Sequence, residues 1–422
     1  MKWKRREFIA TTTAAALGVQ VLGSAPQAKA APRQQATTPQ KGHYDVIVLG
    51  VGSMGSAACY FLASRGYKVL GLEQLDISHD QGSHAGQSRI IRMAYAEHPD
   101  YVPLLQRAYA NWRQLEKETN SKVFEKTGVA YFGKPDNAFM LGVKKSSSLY
   151  NVDIAKSSPA QSRELFPAFE LPADFEVIFE PNAGFITPEK AILLFAEQAL
   201  ARGAVIYTHE RVKHWKQTGN TIEVTSSSGY FTCDKLVITT GAWTSKMIPG
   251  FKPRLTVTKQ MLAWISPKDW SLFSLGKFPC WILEDEERGS YYGFPILPPG
   301  QFGGPLGLKL AHHFPGETSD PDKVNRNITS GTEEDIRYVL KKYMPSANHT
   351  ILSMKSCLYT NSADENFIID HLPGFKNKVT VACGFSGHGF KFASVVGEIL
   401  ADMAIQGKTA LPIGFLGLER LG

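Results

Sequence analysis

Apolar residues crowd into Asp45-Val46-Ile47-Val48-Leu49 and give way to Gly50, Gly52 and Gly55. A short apolar run bounded by glycines predicts a parallel strand covered on both faces. Residues 56–65 predict a helix, and Lys68-Val69-Leu70-Gly71-Leu72-Glu73 a second strand ending in an acid. The period then changes. Over 99–119, Tyr101, Leu105, Ala108, Trp112 and Leu115 recur at steps of four and three, a stripe that predicts a helix facing the core. Residues 123–181 read as short strands and loops. Residues 188–202 predict another amphipathic helix, with Thr187 as its N-cap. Strands are expected at 205–207 and 222–224, and a buried one over 235–243.

Residues 256–355 have a different texture, with aromatics, prolines and alternating strands at 262–265, 280–283 and 290–294. A sheet roofing the first domain is the simplest account. Within it, Gly307-Leu308-Lys309-Leu310-Ala311-His312-His313 alternates, so Lys309, Ala311 and His313 share one face. That face either lines a cleft or meets solvent. The opening pattern then returns: a strand at 379–383, a glycine-rich turn at 384–391, and a helix at 392–405. Three chain segments thus come back to one sheet, and the first domain is discontinuous.

Gly50, Gly52 and Gly55 have the G-x-G-x-x-G spacing of a dinucleotide site. The first allows the tight turn, the second lets a pyrophosphate approach the backbone, and the third lets helix and strand pack closely. Ser53 and Met54 lie within this turn, where helix amides face the phosphates. Glu73 stands 23 residues beyond Gly50, where an acid would hold ribose hydroxyls. The motif does not separate NAD from FAD. After the second strand, residues 81–92 mix small residues (Gly82, Ser83) with His84, Arg89 and Arg92, a loop suited to an anionic ligand. Gly387 and Gly389 make the later turn a second place for backbone amides to meet a ligand.

At 422 residues there is room for two domains. The net charge is +7, of which the first thirty residues carry +4, so the remainder holds +3 and is no nucleic-acid footprint. Those thirty residues read as a twin-arginine signal: Arg5-Arg6, a mildly apolar stretch at 10–23, and the small-x-small site Ala28-Lys29-Ala30. The apolar stretch is too short and polar for a stable membrane span. A periplasmic or exported bacterial protein, carried by the twin-arginine machinery, is expected. Residues 31–42 read as a flexible tether. The five cysteines, Cys59, Cys233, Cys280, Cys357 and Cys383, form no C-x-x-C pair, so neither a disulfide framework nor a metal site is expected.

Taken together, Gly50-Val51-Gly52-Ser53-Met54-Gly55, Gly82-Ser83-His84, Ser88-Arg89-Ile90-Ile91-Arg92, Tyr291-Tyr292-Gly293-Phe294-Pro295, Gly307-Leu308-Lys309, 364–370 and Gly384-Phe385-Ser386-Gly387-His388-Gly389-Phe390-Lys391 resemble the monomeric sarcosine oxidase and N-methyltryptophan oxidase family of flavoproteins. The resemblance runs from Tyr44 to about Gly407. It implies an α/β chain with a Rossmann-like FAD-binding domain of the glutathione-reductase and D-amino-acid-oxidase type and a sheet-based α+β substrate domain. The boundaries read from the sequence are 43–124, 187–255 and 356–415 for FAD, and 125–186 and 256–355 for substrate. The resemblance also implies FAD linked through its 8α carbon to Cys357, and a substrate carboxylate held by Arg92 and Lys391. Lys309 matches a lysine that activates oxygen, and His313 and Tyr359 match residues shaping the amine pocket. The implied reaction is hydride transfer from a secondary, N-methyl amino acid. The imine then hydrolyses, to formaldehyde from a methyl, and O2 is reduced to peroxide, by an enzyme expected to be a monomer. Two rivals are a dehydrogenase feeding a respiratory acceptor and a non-catalytic flavin-binding subunit. The chain departs from the family at Ala85 and around Thr258 and Lys259, which leaves the identity of the amine open.

Overall fold

The computed structural model describes residues 42–314 and 316–422. The expected signal, and the tether up to residue 41, lie outside them. Two large sheets organise the described chain.

The first sheet holds the strands Val212–Thr218, Thr221–Ser226, Tyr230–Ile238, His43–Leu49, Val69–Leu72 and Val205–Tyr207 in that order. Val379–Cys383 also pairs with Tyr230–Ile238, and Ile368–His371 with Val379–Cys383. His43–Leu49 runs parallel to both its neighbours, as its apolar sequence requires. Val46 and Val48 meet a helical layer of Ser53–Ser64, Tyr101–Thr119, Pro188–Ala201 and Ala393–Gln406, while Ile47 and Leu49 pack on the opposite face. Gly397 lets the first and last of these helices close up, since a Cβ there would lie 2.4 Å from that of Ala57. Three chain segments do build this sheet.

The second sheet runs Glu317–Thr318, Leu255–Ser266, Leu308–His312, Gly289–Phe294, Cys280–Asp285, Val129–Gly133, Glu176–Glu180 and Ala155–Ser157, with Thr350–Ser362 also on Leu255–Ser266. Leu308–His312 is interior, bonded on both sides, which removes the solvated reading of its alternation. Because Thr350–Ser362 runs unbroken, Cys357 and Tyr359 belong to this sheet.

Several local expectations need correction. The stretch 123–181 contains two helices, Ala138–Tyr150 and Pro159–Leu165, and the roofing region contains Ser330–Tyr343. Their start signals were present: Asn137 accepts from the Phe139 amide, Ser158 and Gln161 form a capping box, and Thr329 accepts from the Thr332 amide. Thr187 precedes its helix as expected, but its hydroxyl donates to the Val123 carbonyl rather than capping. The strand expected at 235–243 is Tyr230–Ile238, and Gly241–Trp243 forms a 3-10 turn.

Candidate active site

A cavity lies between the two sheets. At one end it is lined by Gly50, Gly52, Ser53, Met54 and Glu73, and at the other by Arg92, His313, Tyr359 and Lys391. Gly50 adopts φ +82°, and a Cβ there would lie 2.8 Å from the Thr239 carbonyl oxygen. Gly55 is packed even more tightly, its added Cβ falling 1.9 Å from the Gly50 carbonyl oxygen. At Gly52 nothing lies within 4 Å, so the turn is open where a pyrophosphate would approach. Glu73, buried just beyond Val69–Leu72, accepts from the Val51 and Leu75 amides at 2.9 and 3.0 Å. Burial raises its carboxyl pKa, opposed by those amide bonds.

The loop 83–89 forms one wall. Ser83, His84 and Arg89 line the cavity, and Arg89 donates to the Ser83, Ala85 and Ser88 carbonyls. The Gly86 and Gln87 amides both donate to Glu189, at the start of Pro188–Ala201. Lys309 holds the loop from behind, donating to the Gly86 carbonyl and to Ser88 O and Oγ at 2.7 and 3.1 Å. Burial and Arg89 push its pKa well down. Three oxygen acceptors match the three donors of an ammonium, and on that geometry we assign it as charged. Neither Lys309 nor Cys357 is on the cavity lining. Cys357 is buried with Leu262, Trp264, Ala311 and Tyr359, and shares its strand face with Tyr359, two residues on. Burial raises its thiol pKa, against Arg89 and Lys309.

The opposite end is a charge cluster with its cations buried. Arg92 is 2% exposed and Lys391 6%. Arg92 reaches both oxygens of Glu97 at 2.7 Å and stacks 4.4 Å from the Tyr95 ring centroid. Glu97 keeps part of its surface open, its side chain being 24% exposed; what burial it has raises its pKa, but Arg92, His388 and Lys391 hold it down to about 2. Lys391 donates to the His388 carbonyl at 2.8 Å. Burial and the neighbouring Arg92 lower its pKa to about 7, with Glu97 opposing. His313 bonds Tyr359 through Nδ1 at 3.1 Å, and burial first, with His388 beside it, takes its pKa to about 3. It is a neutral imidazole. His388, held by Tyr95 at Nδ1 and the Glu365 carbonyl at Nε2, is likewise lowered by burial, to about 4.

The cavity therefore gathers Gly50, Gly52, Ser53, Met54, Glu73, Ser83, His84, Arg89, Arg92, His313, Tyr359, Gly387, Gly389 and Lys391, and leaves Gly55, Lys309 and Cys357 just behind its wall. Ala85, Thr258 and Lys259 do not line it, so the pocket shape is not set directly where the sequence departs from the family. Sequence reasoning missed Glu97, Glu189, Glu284 and His388. Glu97 carried one usable signal, an acid five residues after a buried arginine.

The residues fit an adenine dinucleotide carrying a flavin. Among the described residues, buried polar atoms without a partner include His84 Nε2 and Thr360 Oγ1, both on residues of this cavity. Such atoms are costly unless something bonds them. No group of acids, cysteines or histidines suited to a metal occurs among the described residues.

Comparison with known proteins agrees. The profile described as "DAO: FAD dependent oxidoreductase" matches residues 45–403. The chain is 39% identical over 383 residues to a monomeric sarcosine oxidase of Bacillus sp. (strain B-0618), covering 90% of this chain and 96% of that one. It is 32% identical over 381 residues to an N-methyl-L-tryptophan oxidase of Yersinia pestis (strain Pestoides F), covering 89% and 99%. In fold it resembles NikD, an unusual amino acid oxidase essential for nikkomycin biosynthesis (TM-score 0.78, 22% identity, 89% and 98% covered). The L-proline dehydrogenase from P. horikoshii is similar too (TM-score 0.76, 23% identity, 90% and 99% covered). With its profile match spanning most of the described chain, this protein belongs to the DAO family of FAD-dependent oxidoreductases.

Proposed function

We propose that this protein oxidises N-methyl, or other secondary, amino acids at the carbon next to nitrogen, in the manner of its sarcosine oxidase relatives. The observation that carries this is one cavity joining a dinucleotide cradle to the buried cation pair Arg92 and Lys391. An arginine fork holds a planar carboxylate bidentately, and a lysine adds a point charge. One guanidinium nitrogen of Arg92 already bonds Glu97, so the incoming carboxylate competes with Glu97 for it. Burial and the nearby guanidinium disfavour a second cation on the amine, which favours the neutral form needed to release hydride. His313, neutral and fixed by Tyr359, shapes the amine pocket without adding charge. FAD, when bound, supplies the hydride acceptor and passes the two electrons to oxygen as peroxide. The oxidised amine is an imine, which water hydrolyses. Lys309, behind the loop 83–89, matches the family's oxygen-activating lysine, and its positive charge would stabilise developing superoxide.

Oxygen uptake by flavin-loaded protein over a panel of N-methyl and cyclic amino acids tests the reading. Uptake with matching peroxide is expected, and formaldehyde accompanies any methyl oxidation. Amine-driven flavin reduction without oxygen uptake would move the assignment to a dehydrogenase. Flavin that no amine reduces would leave a binding subunit.

Three finer points belong to the same proposal. Cys357 carries the flavin covalently: it shares the Tyr359 face, and its resemblance to the attachment cysteine supports the link. Acid-precipitated protein should stay yellow, while Cys357→Ser should release flavin on precipitation. The protein works outside the cytoplasm. Arg5→Lys with Arg6→Lys should abolish its appearance in a periplasmic fraction, and unchanged export would refute that address. It acts as a monomer, as the name of its sarcosine oxidase relatives suggests. No helix among the described residues is long and apolar enough to cross a membrane.

A further inference from the structure

One cavity residue has no part in the chemistry above. Glu284 sits on Cys280–Asp285, paired across the hairpin with Ser290. Residues two apart on a strand share a face, so Glu284 accompanies Ile282, and Ser290 accompanies Tyr292. All four line the cavity. The hairpin lies beside the amine pocket: the His313 amide donates to the Ser290 carbonyl at 2.7 Å, and the Tyr292 ring meets the His313 ring edge-on at 5.8 Å. Glu284 Oε1 is buried without a hydrogen-bond partner. Burial raises its carboxyl pKa, with Ser290 and Arg92 opposing and Glu97 adding to the rise.

A buried carboxylate oxygen left without a partner is costly, and a cation bonds it most strongly. An amino acid held by Arg92 and Lys391 brings that cation when its side chain ends in an ammonium or guanidinium.

We propose that Glu284 reads the substrate's side chain, and that the cavity takes N-methyl amino acids whose side chain ends in a cation, an ammonium or guanidinium, docked on Glu284 Oε1. This rests on the N-methyl amino-acid reading and narrows it. Glu284 is a specificity residue rather than a catalytic one, since nothing places it at the reacting carbon.

The test compares kcat/KM for Nα-methyl-lysine and Nα-methyl-norleucine, which differ by the terminal ammonium, with sarcosine as a third substrate. A charge-assisted hydrogen bond predicts a preference for the lysine derivative of about 10- to 100-fold. Glu284→Gln should bring the ratio close to one, and Glu284→Asp should keep part of it. A wild-type ratio near or below one overturns the proposal, as does a ratio that Glu284→Gln leaves intact. Should the variants fail to load flavin, the wild-type ratio of Nα-methyl-lysine to its Nε-acetyl derivative decides the matter in the same way. If sarcosine reduces the flavin but the ratio is flat, only this proposal falls. If no N-methyl amino acid reduces the flavin, the functional reading falls first and takes this one with it.

Discussion

Buried beside Arg92 and facing Glu97, Lys391 has a pKa near 7, and the sign of its effect on binding follows from that value. Below it the ammonium is present and adds to carboxylate binding. Above it the free protein must take up a proton to recover that attraction, so affinity weakens by up to about tenfold per pH unit. A non-oxidisable carboxylate such as acetate, followed by its perturbation of the flavin spectrum, should bind more weakly as pH rises through neutrality. Lys391→Met should flatten the profile, and a wild-type profile that is already flat would refute the assigned pKa. At this scale the sequence was partly legible. Arg92, Lys391 and His313 were visible because they fall in recognisable motifs. Glu97 was hidden because residues 93–100 have no periodicity to fix a side chain's direction. Glu284 was hidden differently. It opens the acidic stretch Glu284-Asp285-Glu286-Glu287, which reads as a solvated turn, and only pairing with Ser290 turns it inward.

At the scale of elements, the glycine turn separates folding from binding. At Gly55 an added methyl meets backbone at 1.9 Å, whereas at Gly52 it meets nothing. Gly55→Ala should therefore destabilise the protein, by about 1–3 kcal/mol or more as in other overpacked sites. Gly52→Ala should leave the melting temperature of flavin-free protein nearly unchanged and weaken flavin loading. Thermal unfolding and flavin stoichiometry on both variants check this, and equal losses of stability would contradict it. The strand–turn–helix unit was legible because its apolar run, glycines and terminal acid agree with one another. The helix Ala138–Tyr150 was not. It buries only Met140, Val143 and Ser146, and its Gly142 gives way to the Ala96 backbone, so its apolar signal is thin. Ser330–Tyr343 buries a fuller stripe of Ile336, Val339, Leu340 and Tyr343, but sits within a region whose aromatics and prolines suggested strands alone.

At the scale of the whole molecule, distant parts of the chain must meet before any site exists. The dinucleotide cradle comes from residues 49–54, the carboxylate pair from Arg92 and Lys391, and the amine pocket from His313 and Tyr359. Sequence could assign these to two domains, because the opening motif recurs near residue 384. It could not show Cys357 in mid-strand, since a strand running on into Ser362 carries no break in pattern. The central claim is that the far end of the cavity recruits a carboxylate and so presents an N-methyl group for oxidation. The most direct measurement mixes flavin-loaded protein anaerobically with sarcosine or with dimethylamine, which is sarcosine without its carboxylate, and then admits air. The account predicts that sarcosine bleaches the flavin, dimethylamine does not at the same concentration, and air restores the colour with release of peroxide. Equal bleaching by both amines, or by neither, would contradict it.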